Sequence, residues 1–231
     1  MKNYVIIGGS SGIGAQLVKQ LLQSGHKVWA TYNKNQPQEG GEYVSYHHLD
    51  VLSETADFSF LPDTVDGVVY CPGSISLRPF TRIKPEDFMQ DYALTIGGAV
   101  KVLQAALPKL KNAAQPSVVL FSTVAVQTGL TFHTQVAASK GAVEGLTRAL
   151  AAELAPKVRV NCIAPSLTDT PLSAALLSTP EKREASAQRH PLKKTGTAED
   201  IANMAEFLLS DKAAFITGQI LKLDGGLSAL R

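Results

Sequence analysis

The sequence predicts a doubly wound α/β fold, a single domain with helices on both faces of a seven-stranded parallel sheet. Three observations predict it. Seven short apolar runs recur along the chain, most are separated by segments with apolar residues at helical spacing, and a glycine-rich turn joins the first run to the first helix. Alternating strands and helices pair in parallel through right-handed crossovers. With 231 residues, 45% of them hydrophobic, the chain suffices for one large core, and no repeat, low-complexity tract or linker divides it.

The elements follow in order. Residues 4–7 form a first strand that ends on glycines, and Leu17, Val18, Leu21 and Leu22 behind them share one helix face. Residues 27–32, 43–47, 67–70, 117–122, 158–163 and 220–223 read as the remaining strands. Long helical patterns cover 85–110 and 134–155, and Thr197 is expected to cap a late helix, with Asp200 three residues on. Between Asn33 and Glu42 the chain carries Pro37, Gly40 and Gly41 and lacks an apolar period, so a loop is expected in place of a crossover helix. Residues 52–62 leave room for a short helix only.

Lysine and arginine number 22 against 20 aspartates and glutamates, a net charge of +2, which lacks the strongly basic face of a nucleic-acid partner. The two cysteines, Cys71 and Cys162, lie far apart and the first residues run straight into a strand, so a reducing cytoplasm is expected. No apolar run approaches the roughly 20 residues a membrane-spanning helix needs.

Chemistry begins at Gly8-Gly9-Ser10-Ser11-Gly12-Ile13-Gly14. A turn that leaves a strand and opens a helix offers free backbone N–H groups and the positive end of the helix dipole, which suit a pyrophosphate. Gly8, Gly12 and Gly14 stand where such a turn needs unusual dihedrals or close approach, and Ser10 and Ser11 add hydroxyls. This context points to a nicotinamide dinucleotide. The second strand ends on Thr31-Tyr32-Asn33-Lys34 without a carboxylate to receive a ribose diol, which favours NADP over NAD, with Lys34 as the attracting charge. Asp50 either reaches the adenine or closes its own turn.

These motifs coincide with others. The chain resembles the short-chain dehydrogenase/reductase family over essentially its whole length, in Gly8-x-x-x-Gly12-x-Gly14, Leu49-Asp50-Val51, Ser139-Lys140-Gly141-Ala142-Val143, Leu150-Ala151-Ala152-Glu153-Leu154, Arg159-Val160-Asn161, and Ile216-Thr217-Gly218 through Asp224-Gly225-Gly226. The resemblance implies a Rossmann-type sheet, an oxidoreductase acting on a small carbonyl, alcohol or activated alkene, and a homodimer or homotetramer joined through the helices after strands four and five. It implies that Ile13, Val51, Cys71-Pro72-Gly73 and Lys140 also line the dinucleotide. Pro165, Ser166, Thr168 and Thr170 resemble the segment that holds the nicotinamide carboxamide, with Ser166 replacing the usual glycine. Residues 166–195 then form a substrate lid.

The departures concern proton transfer. The family places a tyrosine four residues before the lysine, where the ammonium lowers the phenol's pKa; here that residue is Val136. The serine thirteen residues earlier is replaced by Thr123, preceded by Ser122, and the asparagine of the helix after strand four aligns with Thr95. Val136 has no proton to give, so hydride delivery to a carbonyl would leave an alkoxide held only by hydrogen bonds. Thr123 is a candidate for holding the substrate oxygen, or else a strand-packing residue. His133, seven residues before Lys140, matches the tyrosine spacing of related enoyl reductases, yet a helix N-terminus favours its neutral form, a poor donor. Tyr70 and Tyr92 carry phenols without an inferable lysine partner. Residues 180–194 carry Lys182, Arg183, Arg189, His190, Lys193 and Lys194 against Glu181 and Glu184, the pattern of a solvated helix face or of a site for an acidic substrate. Two functions follow: an oxidoreductase with an atypical proton donor, or a dinucleotide-binding sensor or scaffold without turnover.

Overall fold

The computed structural model describes residues 1–36 and 40–230. The seven main strands are β1 (Asn3–Ile7), β2 (Lys27–Tyr32), β3 (Val44–His48), β4 (Gly67–Tyr70), β5 (Ser117–Phe121), β6 (Arg159–Pro165) and, last in the chain, β9 (Ile220–Leu223). They pair in parallel throughout, in the order β3-β2-β1-β4-β5-β6-β9. A short parallel pair, β7 (Thr168–Asp169) with β8 (Gly196–Thr197), ties the segment after β6 to the chain ahead of the last helix.

The central strands read as unbroken apolar runs because helices bury both sheet faces. Successive side chains point to opposite sides. Val5 and Ile7 enter one apolar layer with Val68, Leu120 and Val160, under α3 (Gly98–Lys111) and α5 (Thr134–Leu154). Tyr4 and Ile6 enter the other with Val69, Val119 and Ile163, under α1 (Gly12–Gln23) and α7 (Ala198–Leu209). The cap expected on α7 is present: Thr197 Oγ1 accepts from the Asp200 amide at 3.0 Å, and Asp200 accepts from the Thr197 amide at 2.9 Å.

Two expectations change, and a third lies partly outside the described residues. The helical pattern 85–110 is divided into α2 (Pro85–Tyr92), a π-helical turn (Ala93–Gly97) and α3. Residues 52–62 form turns and no helix, since Asp50 and Asp57 each accept a backbone amide two residues on. Pro37 of the expected loop lies outside the described residues; its described flanks are not helical. A short helix, α4 (Ala125–Thr128), follows β5, and α6 (Pro180–Gln188) lies between β7 and β8.

This order positions the site. β1 pairs with β2 on one side and β4 on the other, so the connections leave in opposite directions and open a crevice at the carboxyl ends of these strands.

Candidate active site

The glycine turn is shaped by contacts that exclude side chains. Gly8 (φ +78°) and Gly12 (φ +54°) adopt left-handed backbone, and a Cβ on Gly14 would lie 2.2 Å from the Gly8 carbonyl oxygen. The Gly8 amide donates to Thr31 Oγ1 at 3.0 Å and the Gly9 amide to the Thr31 carbonyl at 2.9 Å, which pins the turn to β2. Ser11 is extended (φ −155°) and its side chain makes no capping bond, so the first amides of α1 face outward with no acidic residue in that turn. Ser10 is half-buried beside it, and Ile13 packs into the apolar layer.

Other segments converge on this turn. A Cβ on Gly8 would meet Cys71 Cβ and Pro72 Cδ, each at 3.4 Å, and one on Gly12 would meet Thr170 Cβ at 3.5 Å. Asn33 and Lys34 are exposed beyond β2. Asp50 accepts from the Leu52 amide at 2.9 Å, closing its own turn. Val51 is buried against Gly98, whose missing Cβ would approach Val51 Cγ2 to 2.8 Å.

Lys140, 9% exposed, projects from α5 and donates to the Phe121 carbonyl at 3.0 Å. Its ammonium also lies against Gly73, where a Cβ would sit 3.1 Å from Nζ. Burial lowers the lysine's pKa, and the surroundings of Cys162, Asp91 and Cys71 act in the opposite sense. Thr123 is half-buried, and its Oγ1 accepts from the Ala125 amide at 3.3 Å. Ser122 turns away into the protein and donates to Glu144 at 2.9 Å. His133 stands at the N-terminal boundary of α5 without a side-chain capping bond, and its Nδ1 bonds the Thr131 carbonyl at 2.7 Å, leaving Nε2 free of that contact. Pro165 ends β6; Ser166 meets the Nε2 of buried His190 at 2.8 Å, and Thr168 donates to the Ser166 carbonyl at 3.1 Å. His190 is thus the buried exception in the basic segment, where Arg183 pairs with Asp169 and Lys194 with Asp200.

Comparison with known proteins agrees with this geometry. The family described as enoyl-(acyl carrier protein) reductase matches residues 8–228. A 3-oxoacyl-[acyl-carrier-protein] reductase of Thermotoga maritima is 37% identical over 250 residues, covering 96% of each chain. A short-chain type dehydrogenase/reductase from Mycobacterium ulcerans superposes with a TM-score of 0.87 at 30% identity, covering 100% of this chain and 90% of that one. The chain belongs to the short-chain dehydrogenase/reductase family. Another solved member, ElxO with NADP bound, has a TM-score of 0.86 at 27% identity and covers 98% of this chain and 99% of its own. A tyrosine-to-phenylalanine variant of ElxO is solved with NADPH bound.

Within this short-chain dehydrogenase/reductase, Val136 is 7% exposed and offers only carbon one helical turn from Lys140. Thr95 is buried in the π-helical turn, and its Oγ1 has no partner among the described residues. Tyr70, far from idle, donates to the Leu94 carbonyl at 2.6 Å and so holds that turn; Tyr92 is 46% exposed. Sequence reasoning missed Asp91, a buried carboxyl group on α2 joined to Ser74 and Ser139. The available signal was an acidic residue four positions before Thr95, on one helix face with it.

Proposed function

We propose that this protein is an oxidoreductase that holds a nicotinamide dinucleotide along the crevice, with the pyrophosphate on the amides of Gly12, Ile13 and Gly14 and NADP preferred over NAD. The carrying observation is the convergence of Gly8–Gly14 with Cys71-Pro72 and Thr170 on one crevice. The residues fit the group, because the missing side chains of Gly8, Gly12 and Gly14 leave backbone where a phosphate would approach, at a helix end with no carboxylate. The NADP-bound relative supports the same reading. Exposed Lys34, beyond a β2 that ends without an acid, supports a 2′-phosphate. Asp50 closes its own turn, so its second carboxylate oxygen is the one left for the adenine side.

When bound, the nicotinamide supplies or accepts a hydride. The chain's part is to orient the substrate oxygen and manage its proton. Thr123, half-buried just beyond β5, holds that oxygen, and Lys140 supplies the positive charge. The His133 tautomer that donates from Nδ1 to the Thr131 carbonyl presents Nε2 as an acceptor, which suits positioning of a substrate hydroxyl better than protonation. Ser122, committed to Glu144, supports the backbone of this corner. Residues 166–195 close over the substrate, and the helices α2, α3 and α5 join copies into a dimer or tetramer.

Val136 favours a second reading, dinucleotide binding without turnover. One experiment separates the two. NADPH and NADH binding is measured by fluorescence titration, then dinucleotide oxidation is followed with a panel of small carbonyls and activated alkenes. The oxidoreductase reading expects turnover that falls about 100-fold in Thr123→Ala. Tight binding with no turnover across the panel selects the second reading, and failure of both dinucleotides to bind overturns both.

A further inference from the structure

One hydrogen bond joins the two ends of the segment between β6 and the last helix. Ser166 follows the last residue of β6, and its hydroxyl oxygen lies 2.8 Å from Nε2 of His190, just beyond α6. His190 is 3% exposed and is fixed from several sides. Its amide donates to the Ala187 carbonyl at 3.0 Å, its carbonyl accepts from the Lys193 amide at 2.9 Å, and its Nδ1 meets the Ser186 carbonyl at 2.8 Å. The turn after β9 packs on the ring, since a Cβ on Gly225 would stand 3.5 Å from both Cβ and Cδ2 of His190. The Ser166 amide donates to the Leu223 carbonyl at 3.1 Å, so the end of β9 holds both partners of the bond.

The partners of the ring give this bond a direction. A carbonyl only accepts, so Nδ1 carries the proton of the neutral imidazole and Nε2 is left as an acceptor. The Ser166 hydroxyl then donates to Nε2. A hydroxyl has one proton and two lone pairs, so half-buried Ser166 keeps only acceptor capacity for any other group.

Ser166 also has a defined place along the crevice. The Pro165 carbonyl accepts from the Val124 amide at 3.1 Å, next to Thr123, which sets Ser166 beside the corner assigned to the substrate oxygen. Four residues on, Thr170 packs against the glycine turn, with its Cβ 3.5 Å from where a Cβ on Gly12 would stand. Residues 165–170 thus run from the reacting corner to the pyrophosphate turn, and Ser166 stands at the reacting end.

We propose that His190 is a positioning residue that holds the Ser166 hydroxyl as an acceptor for the carboxamide N–H of the nicotinamide, so that the site selects a ring substituent able to donate. The proposal rests on the reading that a nicotinamide dinucleotide lies along this crevice from Gly12 towards Thr123. A carboxamide carries an NH2 donor and a carbonyl acceptor. An acetyl group in its place keeps the carbonyl and the charge and has a methyl group where the NH2 stood, so it leaves an accepting Ser166 oxygen unpaired. Without His190 the hydroxyl is free to rotate and donate to the acetyl carbonyl, and the preference disappears. His190 acts through Ser166 in this arrangement.

Binding tests this without turnover. Dissociation constants of the full chain for NADP and for its acetylpyridine analogue are measured by calorimetric titration at about pH 8, above the ordinary histidine range. The unsubstituted protein is expected to bind NADP about 10-fold more tightly than the analogue. Ser166→Ala and His190→Phe each bring the two constants to within about twofold of each other, whereas His190→Gln, which keeps an acceptor for the hydroxyl, retains a preference of about fivefold. A merely structural role weakens both dinucleotides together and leaves their ratio unchanged in His190→Phe, and that result overturns the proposal. A second measurement needs no variant to fold. With ring-¹⁵N histidine in the unsubstituted protein and His190 assigned through its backbone, Nδ1 is expected to be protonated and Nε2 bare at the same pH; a protonated Nε2 overturns the proposal. A protein that binds NADP and the analogue equally defeats the proposal alone, and one that binds neither defeats the functional reading together with it.

Discussion

Val136 and Lys140 stand one turn apart on α5, so a longer side chain at position 136 would share the lysine's face. A phenol there would lie beside a buried ammonium, which favours its ionised form and turns it into a proton donor and acceptor of useful strength. Opposing this is space: Val136 is buried, and overfilling such a site costs about 1–3 kcal/mol. That cost is small beside the gain that general acid catalysis brings, so Val136→Tyr is expected to create or raise carbonyl reduction by about 100-fold. Initial rates of NADPH oxidation, with dinucleotide affinity measured in parallel, check it; an unchanged rate in a variant that still binds the dinucleotide would falsify the lysine–phenol pairing. The position was legible from the sequence by counting back from Lys140. Asp91 showed only its spacing from Thr95; its partners Ser74 and Ser139 lie 17 and 48 residues away, and only the packing of α2 against α5 and the segment after β4 joins them.

At the scale of elements, parallel strands buried on both faces announce themselves as apolar runs, which is why β1, β2, β4, β5 and β6 lie close to where the sequence placed them. The break between α2 and α3 gave no such signal, since its cause is tertiary. Tyr70 reaches from β4 to the Leu94 carbonyl, 24 residues away, and Gly98 is where its hydroxyl fits, 2.2 Å from where a Cβ would stand. Burial pushes the Tyr70 phenol above its ordinary range, so it remains a protonated donor at any working pH. Removing it leaves the carbonyl of a π-helical turn without that bond. Tyr70→Phe is therefore expected to lose about 1–2 kcal/mol in urea unfolding, with the slope unchanged. An unaltered midpoint would mean that the backbone holds the π-helical turn without the phenol. The turns of residues 52–62 escaped for a related reason: Asp50 and Asp57 bond backbone amides that a helix would otherwise use.

For the whole molecule, the glycine turn ties ligand binding to global stability, because it is built from β1, α1 and β2 at the centre of the sheet. A ligand that binds this arrangement and not the unfolded chain adds about 2.7 kcal/mol when present at about 100 times its Kd. For a domain of this size each kcal/mol moves the melting temperature by about 2–4 °C, so saturating NADPH is expected to raise it by about 5–11 °C. One sheet with both faces covered should unfold in a single transition that shifts as a unit. Gly14→Ala supplies the control. A methyl group would stand 2.2 Å from the Gly8 oxygen, so the turn must move away from the geometry that aims its amides outward. The variant should keep a cooperative transition at somewhat lower temperature and lose most of the NADPH-dependent rise. Calorimetry with and without the dinucleotide reads both quantities; an equal rise in the two proteins would place the pyrophosphate elsewhere than on this turn.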